Sequence, residues 1–204
     1  MKLKICGLTK PEEAVLVAKA GADYAGIVMF FPKSKRNMEP EQATRILAAL
    51  PKSVQSVAVV VSPTLEQVRI IEDLGFAMIQ IHGTVEPQVV ETLKIPFIRA
   101  FNGETFAEIE SYGAMEKCIG FVFDAAEPGS GKTFDWSVLK QVPRTDKLIL
   151  LSGGLTTENV VKAMETVQPD GVDVSSGVEY TDGRPGKDPE KIASFAAKVK
   201  SFCD

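Results

Sequence analysis

Histidine is nearly absent: the chain has one, His82, in 204 residues. No His/Cys/Asp cluster falls at metal-ligand spacing, so no metal site is expected. Cysteine is scarce too. Cys6, Cys118 and Cys203 are odd in number and form no CxxC. That rules out a disulfide framework and suggests reduced thiols in a cytoplasmic protein. Long apolar runs are missing. The longest purely aliphatic stretch, Val57 to Val61, falls far short of a membrane span. The opening MKLKICG has no apolar run long enough for a signal peptide. There is no basic excess: 23 Lys and Arg against 27 Asp and Glu give a net charge of -4. Neither a membrane nor a nucleic acid is therefore an expected partner.

What is present is alternation. Short apolar runs rich in Val, Ile and Phe occur at Leu3–Cys6, Tyr24–Phe30, Val54–Val61, Ala77–His82, Pro96–Phe101, Cys118–Asp124, Lys147–Ser152 and Gly171–Ser175. They are apolar on both faces, as buried parallel strands are. Amphipathic stretches follow them at 11–20, 39–50, 64–74, 85–94, 104–110, 135–141, 156–166 and 188–201. Tyr112 and Gly113 interrupt the fifth. Pro11 suits a first turn, Asp135, Thr156 and Asp188 suit N-caps, and Gly21 and Gly75 suit C-caps. Strict βα alternation allows an open doubly wound sheet or a closed barrel. Eight units of roughly 25 residues, the last as complete as the first, favour an α/β fold of one compact (β/α)8 TIM barrel with a closed parallel sheet. Residues 1–204 then form a single catalytic domain, and its loops must be lean.

In such a barrel the chemistry sits where strands end. Period-two reading puts Leu3, Ile5, Ile79, Ile81, Val172 and Val174 under the helices. It turns Lys4, Cys6, Gln80, His82 and Asp173 inward. Cys6, His82, Asp124, Ser152 and Ser175 all end strands and should converge at the mouth. Two glycine-bearing strand ends stand out. LSGGL carries Gly153 and Gly154; VSSGVE carries Ser175, Ser176 and Gly177. Either could be a plain tight turn. Together they suggest a phosphate nest of main-chain N–H groups, since neither offers a Lys or Arg. GSGKT, residues 129–133, imitates a nucleotide P-loop, but Ala126 stands where the leading glycine belongs. The plainer reading is a glycine-softened loop over the mouth, with Asp135 capping the next helix.

Six motifs lie in register: KICGLT, FFPKSKR, IQIHG, FDA…GSGKTFDW, LSGGLTTENV and VDVSSGVE…GRPGKD. In order and spacing they resemble phosphoribosylanthranilate isomerase of tryptophan biosynthesis, over nearly the whole chain. The stretch from Asp124 to Gly131 is a few residues shorter than is common in that family. The resemblance implies an Amadori rearrangement of N-(5-phosphoribosyl)anthranilate to 1-(2-carboxyphenylamino)-1-deoxyribulose 5-phosphate, without metal or redox cofactor. It makes Asp124 the general acid and Cys6 the general base. It assigns Arg36 to the anthranilate carboxylate and places His82 beside the ligand. Asp173 either orients ligand hydroxyls or neutralises Lys4 and Arg99 inside the barrel. The expected partner is a phosphorylated sugar, and the chain is a monomer or homodimer. Two other functions compete: nucleotide binding through residues 126–133, and sugar-phosphate binding without turnover.

Overall fold

The computed structural model describes residues 1–102, 106, 108–125, 133–143 and 145–202. Eight parallel strands form the barrel: β1 (Lys2–Cys6), β2 (Tyr24–Met29), β3 (Gln55–Val61), β4 (Met78–His82), β5 (Phe97–Asn102), β6 (Cys118–Asp124), β7 (Leu148–Leu151) and β8 (Gly171–Val174). Each pairs with its sequence neighbour. β1 closes the sheet by pairing with both β2 and β8, so Lys4 stands opposite Tyr24 on one side and Asp173 on the other. A two-residue strand, Asn37–Met38, leaves the barrel wall to pair with the end of β2.

The helices are α1 (Pro11–Lys19), α2 (Pro40–Ala49), α3 (Leu65–Asp73), α4 (Pro87–Thr92), α5 (Ile109–Gly113), α6 (Val160–Val167) and α7 (Pro189–Ser201). Pro11 opens α1, and Gly21 and Gly75 follow α1 and α3 with left-handed backbone, as expected. The Asp188 carboxylate accepts from the N–H groups of Glu190 and Lys191 at the start of α7.

The alternation of faces sorts the core into two shells. Cys6, Val57, Val59, Met78, Ile98, Ala100, Val122 and Leu150 fill the barrel interior. Leu3, Ile5, Ile79, Ile81, Phe121, Phe123, Val172 and Val174 face the helices. One strand breaks the rhythm. The β5–β6 register shifts at Phe97/Ile98, and Cys118 joins the helix-side shell. Such a shift sets an extra residue out of step with the pleat.

Three helix assignments need correction. The fifth helix lies at Ile109–Gly113 instead of 104–110, of which 104, 105 and 107 lie outside the described residues. Tyr112 does not interrupt it, because its ring is anchored edge-on to Phe97 and Phe101, 6.2 and 6.4 Å away. The sixth is a 3-10 helix, Trp136–Gln141, with Asp135 accepting from Ser137 N–H as a cap. It stops because Pro143 holds Val142 extended. The seventh begins at Val160 instead of 156. Residues 156–159 form a turn in which the Asn159 amide accepts from Thr156 N–H at 2.8 Å and donates to Gly154 C=O at 2.9 Å. The cost to helix length is repaid as rigidity in the glycine loop.

Candidate active site

A cavity of about 590 Å³ opens at the C-terminal end of the strands. That volume falls within the usual range of small-molecule sites. Cys6, Arg36, His82, Asp124 and Asp173 all line it, and so do Ser152, Gly153, Gly154, Ser175 and Ser176. Gly177 does not reach the wall. It packs behind, against the Leu155 carbonyl, where any side chain would collide with backbone. The loops after β7 and β8 are thereby pressed together. Gly153 has φ 88°, and an added Cβ would meet Ala125 N at 2.7 Å, so the loop after β7 also abuts the residue following Asp124.

Beneath the cavity lies a buried ion pair. Lys4 Nζ donates to Asp173 Oδ2 at 2.7 Å, and the lysine side chain has no exposed surface. The other carboxylate oxygen, Asp173 Oδ1, is buried without a partner among the described residues. Arg99 is not part of this pair, which corrects the expectation. It faces outward with Phe97 and Phe101, where its guanidinium donates to the carbonyls of Ile81, Ala100 and Gly83 and lies over the Phe101 and Tyr112 rings. Strand parity decides this: Ile98, Ala100 and Asn102 are the inward residues of β5.

Three titratable groups at the mouth, Asp124, Cys6 and His82, are displaced from their ordinary behaviour. Burial pushes the Asp124 carboxyl up to about 6 and the nearby Asp173 charge adds to the rise, although Ala125 N–H donates to it at 2.8 Å. Burial also pushes the Cys6 thiol up. The charge of Lys4 pulls the other way, and so does that of Lys187. His82 is driven down to about 4, first by burial and then by the positive charges of Lys4 and Arg99. It is a neutral ring, with Gln80 Nε2 2.8 Å from its Nε2.

Three further neighbours have a role that the motifs do not reveal. Lys187 Nζ, fully covered, donates to Ser175 C=O at 3.1 Å and to its hydroxyl at 3.3 Å. The Ser175 hydroxyl in turn donates to Cys6 C=O at 2.9 Å. The loop after β8 thus does gain a lysine, delivered from the GRPGKD segment. Glu179 takes Arg36 Nε at 2.5 Å. Glu13 on α1 is also buried and binds the loop after β1 and Lys187 N–H. VSSGVE and GRPGKD contain two of these residues, and the missing signal was their separation from Arg36 and Cys6 along the chain. Residues 126–132, the P-loop-like stretch, lie outside the described residues. Among the described residues no three His, Cys, Asp or Glu side chains gather as a metal site. Nor is any described helix long and apolar enough to cross a membrane.

Comparison with known proteins follows the same lines. The family model described as N-(5'phosphoribosyl)anthranilate (PRA) isomerase matches residues 3–198. The N-(5'-phosphoribosyl)anthranilate isomerase of Streptococcus mutans is 40% identical over 200 residues, covering 98% of both chains. The crystal structure of the phosphoribosyl anthranilate isomerase of Thermus thermophilus superposes with a TM-score of 0.86 at 31% identity, covering 99% of this chain and 100% of that one. A phosphoribosyl anthranilate isomerase in complex with reduced 1-(o-carboxyphenylamino)-1-deoxyribulose 5-phosphate superposes with a TM-score of 0.78 at 33% identity, covering 98% and 99%. A closed parallel barrel with an acid–thiol cavity at its mouth and a full-length match in sequence and fold lead to one conclusion: this chain belongs to the N-(5'-phosphoribosyl)anthranilate isomerase family.

Proposed function

We propose that residues 1–204 act as one cytoplasmic catalytic barrel that rearranges N-(5'-phosphoribosyl)anthranilate to 1-(2-carboxyphenylamino)-1-deoxyribulose 5-phosphate. Asp124 donates a proton to the furanose ring oxygen. The C1–O bond breaks as the anilino nitrogen lone pair forms a C=N bond, giving an open-chain Schiff base. The Cys6 thiolate then removes the C2 proton, and the electrons pass to nitrogen to form an enolamine that tautomerises to the ketose. C2 is oxidised and C1 reduced within one molecule, so one acid and one base suffice.

The observation that carries this reading is the sharing of one cavity by Asp124 and Cys6 above the Lys4–Asp173 pair. A carboxyl titrating near 6 keeps part of its population protonated at neutral pH. Lys4 offers the positive charge that a thiolate needs. Groups at Gly153, Gly154, Ser175 and Ser176 hold the phosphate, with Gly177 shaping the loop behind them. Arg36 meets the anthranilate carboxylate through its planar fork. His82, as a neutral ring, and the free oxygen of Asp173 line the sugar.

The test is consumption of phosphoribosylanthranilate, followed by the loss of its fluorescence. Cys6→Ser and Asp124→Asn should each lower kcat/KM by about 100-fold to 10,000-fold with an unchanged circular-dichroism spectrum. Near-normal turnover in either variant removes that residue from the mechanism. Substrate binding without accumulating ketose in the native chain would leave a binding protein.

A further inference from the structure

GRPGKD, a motif to which the reaction assigns no role, supplies the fully covered Lys187 to a partly buried ionic cluster. Its centre is Glu179, on the loop after β8. One carboxylate oxygen accepts from Arg36 Nε at 2.5 Å and Lys187 Nζ at 3.3 Å; the other accepts from Lys35 Nζ at 2.8 Å. Burial alone would raise this carboxyl, but the three cations outweigh it and hold it down to about 2.

The mount is rigid. Glu179 and Lys187 face each other across an antiparallel backbone bridge, with Asp188 N–H donating to Val178 C=O at 2.8 Å. Glu13 of α1 fixes Lys187 N–H at 2.8 Å and Thr9 N–H at 2.6 Å. On the far side Arg36 rides a lean loop, and its Cδ presses so closely on Gly7 that a Cβ there would lie 2.5 Å away. Glu179 occupies Nε and leaves the Nη groups of Arg36, which lines the cavity, to other acceptors. Without that carboxylate, two covered cations would face each other, since Arg36 already opposes the charge on Lys187.

We propose that Glu179 is a positioning residue for substrate selection: anchored through Lys187 to α1, it holds Arg36 by Nε so that the remaining guanidinium edge meets the aromatic carboxylate of the substrate. This rests on the isomerase reading and on the role given there to Arg36. Glu179 itself touches no reacting atom.

The experiment compares two substrates, phosphoribosylanthranilate and its counterpart made from aniline, which lacks the carboxylate. Glu179→Gln keeps shape and removes charge. It should raise KM for the first substrate about tenfold or more, leave kcat within about threefold, and leave both constants for the second near native. Glu179→Asp, which restores the charge at shorter reach, should recover part of the loss. In an Arg36→Met background, Glu179→Gln should add nothing further. An unchanged KM, or an equal penalty on both substrates, overturns the proposal. If Arg36→Met does not discriminate between the substrates, the role of Arg36 fails, and the proposal with it. If the native chain turns over neither, the isomerase reading fails first. Should Glu179→Gln fold poorly, Glu179→Asp gives the same two-substrate comparison.

Discussion

Asp124 and His82 sit in one cavity and are displaced in opposite directions. The folded chain keeps a proton on Asp124 up to about 6, against an ordinary 3.8. Between those values the unfolded chain has already released its proton, so stability falls as pH rises through the window. His82 titrates at about 4 in the fold, against 6.5. There the unfolded chain binds the extra proton, so stability falls as pH drops from 6.5 towards 4. The two slopes oppose each other and largely cancel in the native chain. Asp124→Asn removes one of them. It should melt higher than native at pH 7, by the equivalent of roughly 3 kcal/mol at most. It should also lose stability more steeply from pH 6.5 to 4. Melting temperatures of both proteins against pH check this; parallel curves, or a less stable variant at pH 7, would refute it. A carboxyl buried at the expense of stability is the usual trade at an active site. At this scale Cys6, His82 and Asp173 were legible because strand parity turns them inward, and Asp124 because it ends its strand. Glu179, Lys187 and Glu13 were not, because what defines them is who stands beside them.

Elements were legible to the extent that local chemistry specifies them. Proline at the first turn marks α1 and α7, glycine after the last turn marks α1 and α3, and an acceptor at the cap marks α3 and α7. Thr64 and Gln67 form a reciprocal capping box at α3. α5 was displaced because its stability comes from tertiary contacts: Phe97 and Phe101 grip Tyr112, and Ile109 is buried. Gly113, at its last turn, has right-handed backbone, and an added Cβ would approach nothing closer than Phe121 Cζ at 3.9 Å. Gly113→Ala should therefore stabilise the protein by about 0.5–1 kcal/mol, seen as a shift in the urea midpoint at unchanged slope. A destabilised variant would mean that α5 requires the freedom of glycine.

Across the whole molecule, closure depends on one seam. β1 and β8 are separated by most of the chain, yet Lys4 and Asp173 stand opposite each other there, both buried. Lys4→Met would leave Asp173 charged and unpaired, and should cost about 3–5 kcal/mol in chemical denaturation. Lys4→Met combined with Asp173→Leu should recover much of that stability while losing activity. If the double variant is no better than the single, the pair contributes more than mutual neutralisation. The sequence by itself determined the eight-fold βα alternation, the inward parity of the strand ends and the motifs that mark the family, because each of these depends on residues close together in the chain. Only the tertiary structure decided that Gly177 stands behind the cavity wall and that Glu179 joins Arg36 to Lys187. Those outcomes depend on which strand ends and loops meet, and the chain places such partners far apart before the barrel closes.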